Sequence, residues 1–130
     1  MSEIRVNNVK NETGTGAPTF PNGAVVTGIM TATDFNTTSD ASLKTNINVI
    51  DSAIDKVVRI NGVSFDWKET GNSSAGVIAQ EVEQVFPEVI NEGEGGIKSV
   101  NYNGLIGLLI EAVKEQNKII LELKQQITDK

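Results

Sequence analysis

Residues 104–128, Gly104-Leu-Ile-Gly-Leu-Leu-Ile-Glu-Ala-Val-Lys-Glu-Gln-Asn-Lys-Ile-Ile-Leu-Glu-Leu-Lys-Gln-Gln-Ile-Thr128, decide how this chain is organised. Ile106, Leu109, Val113, Gln116, Ile120, Leu123 and Ile127 recur in alternating steps of three and four, the spacing of a heptad seam on one helix of roughly seven turns. Leu105, Leu108, Ala112 and Ile119 supply a second apolar face. Before Glu115 two readings stand open, a helix lying on its own domain and a coiled coil. Beyond Glu115 the stripe narrows among Lys, Glu and Gln neighbours and favours the coil. Ile at a with Leu at d leans towards two strands, so the seam alone does not select a trimer.

Moving back from this helix, Ile97 to Tyr102 reads as a short strand, and Asn91-Glu-Gly-Glu-Gly-Gly96 as an acidic turn. Gly76 to Phe86 places Ile78, Val82, Val85 and Phe86 on one helical face, and Pro87 stops it. Val63-Ser-Phe-Asp-Trp67 alternates as a half-buried strand does, with Asp66 its outward residue, between an Asn61-Gly62 turn and a second turn over Gly71–Ser74. From Ser39 to about Val58 the spacing of Leu43, Ile47, Ile50, Ile54, Val57 and Val58 predicts an amphipathic helix, with Ser39 or Asp40 near its start.

Residues 1–38 differ. They are rich in Thr, Asn and Gly, and Ile4–Val9 and Ala24–Thr33 lean towards short strands around the loop Gly14–Gly23. Gly14-x-Gly16 lacks the strand-to-helix setting of a phosphate loop. So few large apolar side chains cannot bury a core alone, and order is expected only where copies intertwine or a partner covers the stretch.

Composition removes whole classes of function. The 130 residues carry 17 acidic against 11 basic side chains, a net charge of -6, with one Trp and one Tyr, which argues against nucleic acid as a partner. There is no Cys and no His, so disulfides, thiolate metal sites, imidazole ligands and Ser-His catalysis are excluded. Gln80, Glu81 and Glu83 form an acidic helical face that reads most simply as solvated. No metal or cofactor is expected. The start has no basic-then-apolar leader and no run reaches about 18 apolar residues, so the expectation is a soluble, unprocessed chain without a membrane partner.

The ordered set Ser39-Asp40, Lys44, Asn46-Ile47, Gly62-Val63 with Phe65 and Trp67, Gly76-Val-Ile-Ala-Gln-Glu-Val-Glu83, Pro87-Glu88, Val100-Asn-Tyr102 and Leu105-Ile106 with Leu108–Val113 closely resembles the endosialidase-type C-terminal chaperone family. That family occurs on phage tail fibres and tailspikes and in myelin regulatory factor, and the resemblance runs from about residue 38 to 128. It implies an α+β fold with a β-stranded N-terminal arm or stalk (1–38), a small helix-strand-helix-strand chaperone and autoprocessing domain (39–103), and a C-terminal helix (104–130) in a trimeric coiled coil. It further implies a homotrimer, the N-terminal fibre segment as folding client, other phage tail proteins as possible partners, and a place in the virion after assembly in the host cytoplasm. The stretch before Ser39 is short for a client of that family, so the chain is either a small fibre tip or a fragment of something longer.

The resemblance also implies self-cleavage by Ser39 and Lys44, with Asp40 orienting or capping. A serine needs a nearby base, and a lysine serves as one when burial, positive charge or a helix N-terminus destabilises its ammonium. Attack by Ser39 on the Thr38 carbonyl closes a five-membered ring, which favours the Thr38/Ser39 bond. Ser39/Asp40 stays open if a neighbouring chain's serine attacks. The alternative function is a permanently uncleaved trimeric tip or adaptor.

Overall fold

The computed structural model describes residues 2–130, and the chain divides into two compact units, residues 1–43 and 44–130. The fold is α+β, with two small antiparallel sheets and a long C-terminal helix.

In the first unit no residue between 2 and 40 lies in a helix or strand. In the single chain, the runs Ile4–Val9 and Ala24–Thr33, expected as short strands of the arm, are turns and irregular chain. The physical reason is the lack of a partner: Val25 is 96% exposed, and Ile4 and Ile29 are nearly as open, so neither a ladder nor a core holds these runs extended. Asn11 organises one local turn, its Oδ1 accepting from the Thr15 and Gly16 amides at 3.0 Å each.

The second unit begins irregularly. The helix expected from Ser39 to Val58 is reduced to a single 3-10 turn, Ala41–Leu43, which ends the first unit, and a short helix α1, Ala53–Val57, in the second. Two left-handed residues, Asn46 at φ 51° and Ser52 at φ 49°, break the run between them. The Asn48 side-chain amide donates to the Asn46 carbonyl at 2.8 Å, a local bond that competes with helix formation. Leu43, Ile47 and Val49 are consequently exposed, while Ile50, Ile54 and Val57 reach the core.

Strand β1, Val63–Asp66, pairs with β2, Ser73–Gly76, in the register Val63↔Gly76 to Asp66↔Ser73. Val63 and Phe65 are half-buried and Ser64 and Asp66 exposed, the alternation read from sequence. Because β2 runs to Gly76, the helix expected from there is only α2, Ala79–Glu83, followed by a 3-10 turn over Pro87–Val89. The missing proline N–H makes Pro87 suited to that turn's first position. Strand β3, Ile90–Glu92, was not anticipated. It pairs with β4, Lys98–Val100, across the glycine-rich turn where Gly95 and Gly96 take positive φ.

Helix α3, Tyr102–Thr128, starts two residues before the expected Gly104, with the Asn101 side chain capping the Asn103 amide at 3.2 Å. Its Leu105, Leu108 and Ala112 bury against Ala53, Val82, Phe86 and Val89, with Ile50, Ile54 and Val57 packed around them. Fully burying a side chain such as Leu108 or Val82 contributes about 1.5–3 kcal/mol. This core lies wholly within the second unit.

Candidate functional site

Asp40 takes two hydrogen bonds from Ser42, from its amide at 2.8 Å and its hydroxyl at 2.6 Å, and its carbonyl receives the Leu43 amide at 3.2 Å. This is a side-chain cap on the turn Ala41–Leu43. The bonds from the Ser42 hydroxyl and then its amide hold the Asp40 carboxyl below its ordinary value. Ser39 precedes the cap and is exposed, in the first unit. Lys44, also exposed, follows the turn and begins the second unit. Thr38 lies in irregular, exposed chain.

The two faces of α3 have different fates. Leu105, Leu108 and Ala112 are covered by their own domain. Ile106, Leu109, Val113, Ile120, Leu123 and Ile127 are between 51% and 74% exposed in the single chain, and Gln116 is exposed with them. Leu109 also borders an apolar groove of about 210 Å³ formed with Val57, Ile60, Gly62, Val77, Leu105 and Leu108. The uncovered seam and this groove therefore share a residue.

Four polar contacts were not read from the sequence. The Glu115 carboxylate accepts the Ala53 amide at 2.8 Å and the Ile54 amide at 2.9 Å, joining α3 to the start of α1. These amide bonds, Ile54 first and then Ala53, hold the Glu115 carboxyl below its ordinary range. Glu81, assigned to a solvated face, accepts the Asn61 amide at 3.1 Å and the Asn61 side chain as well. Glu83 pairs with Lys98 at 2.8 Å, tying α2 to β4 and raising the lysine's pKa through that hydrogen bond. The Tyr102 hydroxyl accepts the Val77 amide at 3.2 Å. For Glu115 a signal did exist: it continues the Leu105, Leu108, Ala112 stripe by a further step of three, and a charge on a buried stripe demands a partner.

Among the described residues no cluster of acidic side chains is arranged to hold a metal ion, and no helix is long and apolar enough to cross a membrane.

Residues 39–91 match the family model described as chaperone of endosialidase, which bears out over that stretch the resemblance read from the sequence. Among curated proteins, the chain is similar to the long tail fiber protein Gp37 of Salmonella phage S16, 33% identical over 113 residues, covering 78% of this chain and 15% of that protein. The Gp37 proteins of Enterobacteria phages K3 and T2 are each 36% identical over 98 residues, covering 68% of this chain and 8% and 7% of theirs. The chain thus spans a small fraction of the length of these relatives.

Proposed function

We propose that this chain is the trimerising chaperone and release unit of a phage tail fibre, acting on the fibre segment ahead of it and then cutting itself free. The observation that carries the reading is the family match that opens at Ser39. The long tail fiber relatives support a fibre segment as client and the virion as destination; assembly in the host cytoplasm is part of the proposal. The uncovered heptad seam, from Ile106 to Ile127, supports association of three copies into a coiled coil, with the groove beside Leu109 extending the contact onto the domain.

In the cleavage step, Lys44 acts as the base that takes the Ser39 hydroxyl proton as the oxygen attacks the Thr38 carbonyl through a five-membered ring. The amide nitrogen of Ser39 leaves, taking the proton back from the Lys44 ammonium, and Thr38 is carried as an ester on Ser39 Oγ. Water then hydrolyses the ester to a Thr38 carboxylate and a free Ser39 hydroxyl. Asp40 keeps the turn between nucleophile and base closed through Ser42. If the neighbouring copy's serine attacks instead, the broken bond is Ser39/Asp40. No cofactor takes part.

Intact-mass measurement of freshly expressed chain tests the reading. Two fragments meeting beside Ser39 are expected, absent in Ser39→Ala and in Lys44→Ala. A single intact mass after prolonged incubation under native conditions replaces the reading with that of an uncleaved trimeric tip.

A further inference from the structure

Helix α1 cannot stand by itself. Five residues are too few to offset the cost of nucleating a helix, and its leading amides have no intrahelical acceptors. Ser52 occupies the capping position, yet its left-handed backbone (φ 49°) leaves its side chain off those amides. The acceptor comes instead from more than sixty residues later. Both oxygens of Glu115 are used, one on Ala53 and one on Ile54, and Ala53 is fully buried.

We infer that Glu115 is a positioning residue: by seating the first amides of α1 on α3, it fixes the downstream end of the segment Lys44–Ser52 that carries the catalytic lysine. The inference rests on the proposed role of Lys44. Residues 44–49 form no helix or strand and are exposed. Three ties lie at its downstream end. Ile50 packs on the core, the Lys56 ammonium donates to the Asp51 carbonyl at 2.9 Å, and Glu115 closes the set. The Glu115 bonds, charge-assisted like the Lys56 bond, are the polar ties that reach the long helix.

The charges around Glu115 are mixed. Asp51 opposes its ionisation and Lys56 favours it, while Glu111, Lys114 and Lys118 flank it on α3. The amide bonds from Ile54 and then Ala53 favour its ionised form and hold the carboxyl below its ordinary range.

Hydrogen exchange in a Ser39→Ala background, which stays whole whatever the chain's own activity, tests the inference directly. Glu115→Gln removes the charge and leaves one acceptor oxygen for two amides. Exchange over residues 44–54 is expected to quicken on the order of tenfold, while Leu105–Ala112 keep their protection. Glu115→Asp should fall between parent and Gln. In the chain with Ser39 intact, Glu115→Gln should slow cleavage by a similar factor.

Unchanged exchange over 44–54, or equal loss of protection across α3, overturns the inference. In the unsubstituted sequence, protection at Ala53 and Ile54, corrected for intrinsic exchange, should fall as acid protonates Glu115. Protection that stays flat through that titration also overturns it. A Ser39-containing chain that never cleaves overturns the proteolytic reading alone, because the exchange comparison is decided independently.

Discussion

At Gly104 the first turn of α3 passes so close to Val89 that an added Cβ would overlap the valine side chain. Glycine inside a helix ordinarily costs about 1 kcal/mol relative to alanine. Here the sign reverses, because the small residue lets the helix approach the turn Pro87–Val89. Gly104→Ala is expected to lower the melting temperature, and combining it with Val89→Ala should cost less than the sum of the two single changes. Additive losses in a double-mutant cycle would dismiss the close approach as the cause. Leu108, only 1% exposed, has no such latitude: Leu108→Ala should cost about 2–5 kcal/mol by chemical denaturation. Its place on an apolar face was legible from periodicity alone. The Gly104 contact was not, since it depends on a residue fifteen positions earlier.

Between elements, the Glu115 bonds to α1 make a pH-dependent join. The folded carboxyl titrates below its ordinary value of 4.5, so its hydrogen bonds stabilise the fold fully above that pH and are lost as the pH falls towards the folded value. The gap in urea midpoint between the parent chain and Glu115→Gln should be constant above about pH 4.5 and shrink below it. Parallel curves down to acid would show that the carboxylate adds nothing. The exposed seam of α3 gives a second outcome on this scale. Gln116 interrupts an otherwise apolar a/d row, and a polar core position specifies pairing at a cost in stability. Gln116→Leu should therefore raise the melting temperature of the assembled coil while loosening its oligomer order, checked by thermal denaturation and sedimentation. The helix pattern itself was clear in the sequence. The break between Leu43 and Ala53 was not, because Ile47 and Val49 keep apolar spacing while left-handed Asn46 and Ser52 turn the chain out of the helix.

Over the whole molecule, one unit holds the core and the other is an exposed run of turns, and the two taken separately have opposite needs. The second unit closes its core alone but leaves the Ile106–Ile127 seam uncovered. Paired Leu109→Asp and Leu123→Asp substitutions are expected to reduce a trimer to monomers in sedimentation while the second unit keeps its helical circular dichroism. A parent chain that sediments as a monomer would be fatal to the assembly proposed for it. By itself, the sequence determined the long amphipathic helix, the β1 alternation and the family motifs from Ser39 onward, since all of these reside in residue type and local spacing. It also excluded histidine and thiol chemistry outright. Only the tertiary structure decided which α3 face is covered, that α1 is a single short helix capped from α3, and that Glu81, Glu83 and Glu115 are partnered rather than solvated. Those outcomes depend on which distant groups arrive at the same place, and a desolvated carboxylate or amide takes whatever partner the fold brings within reach.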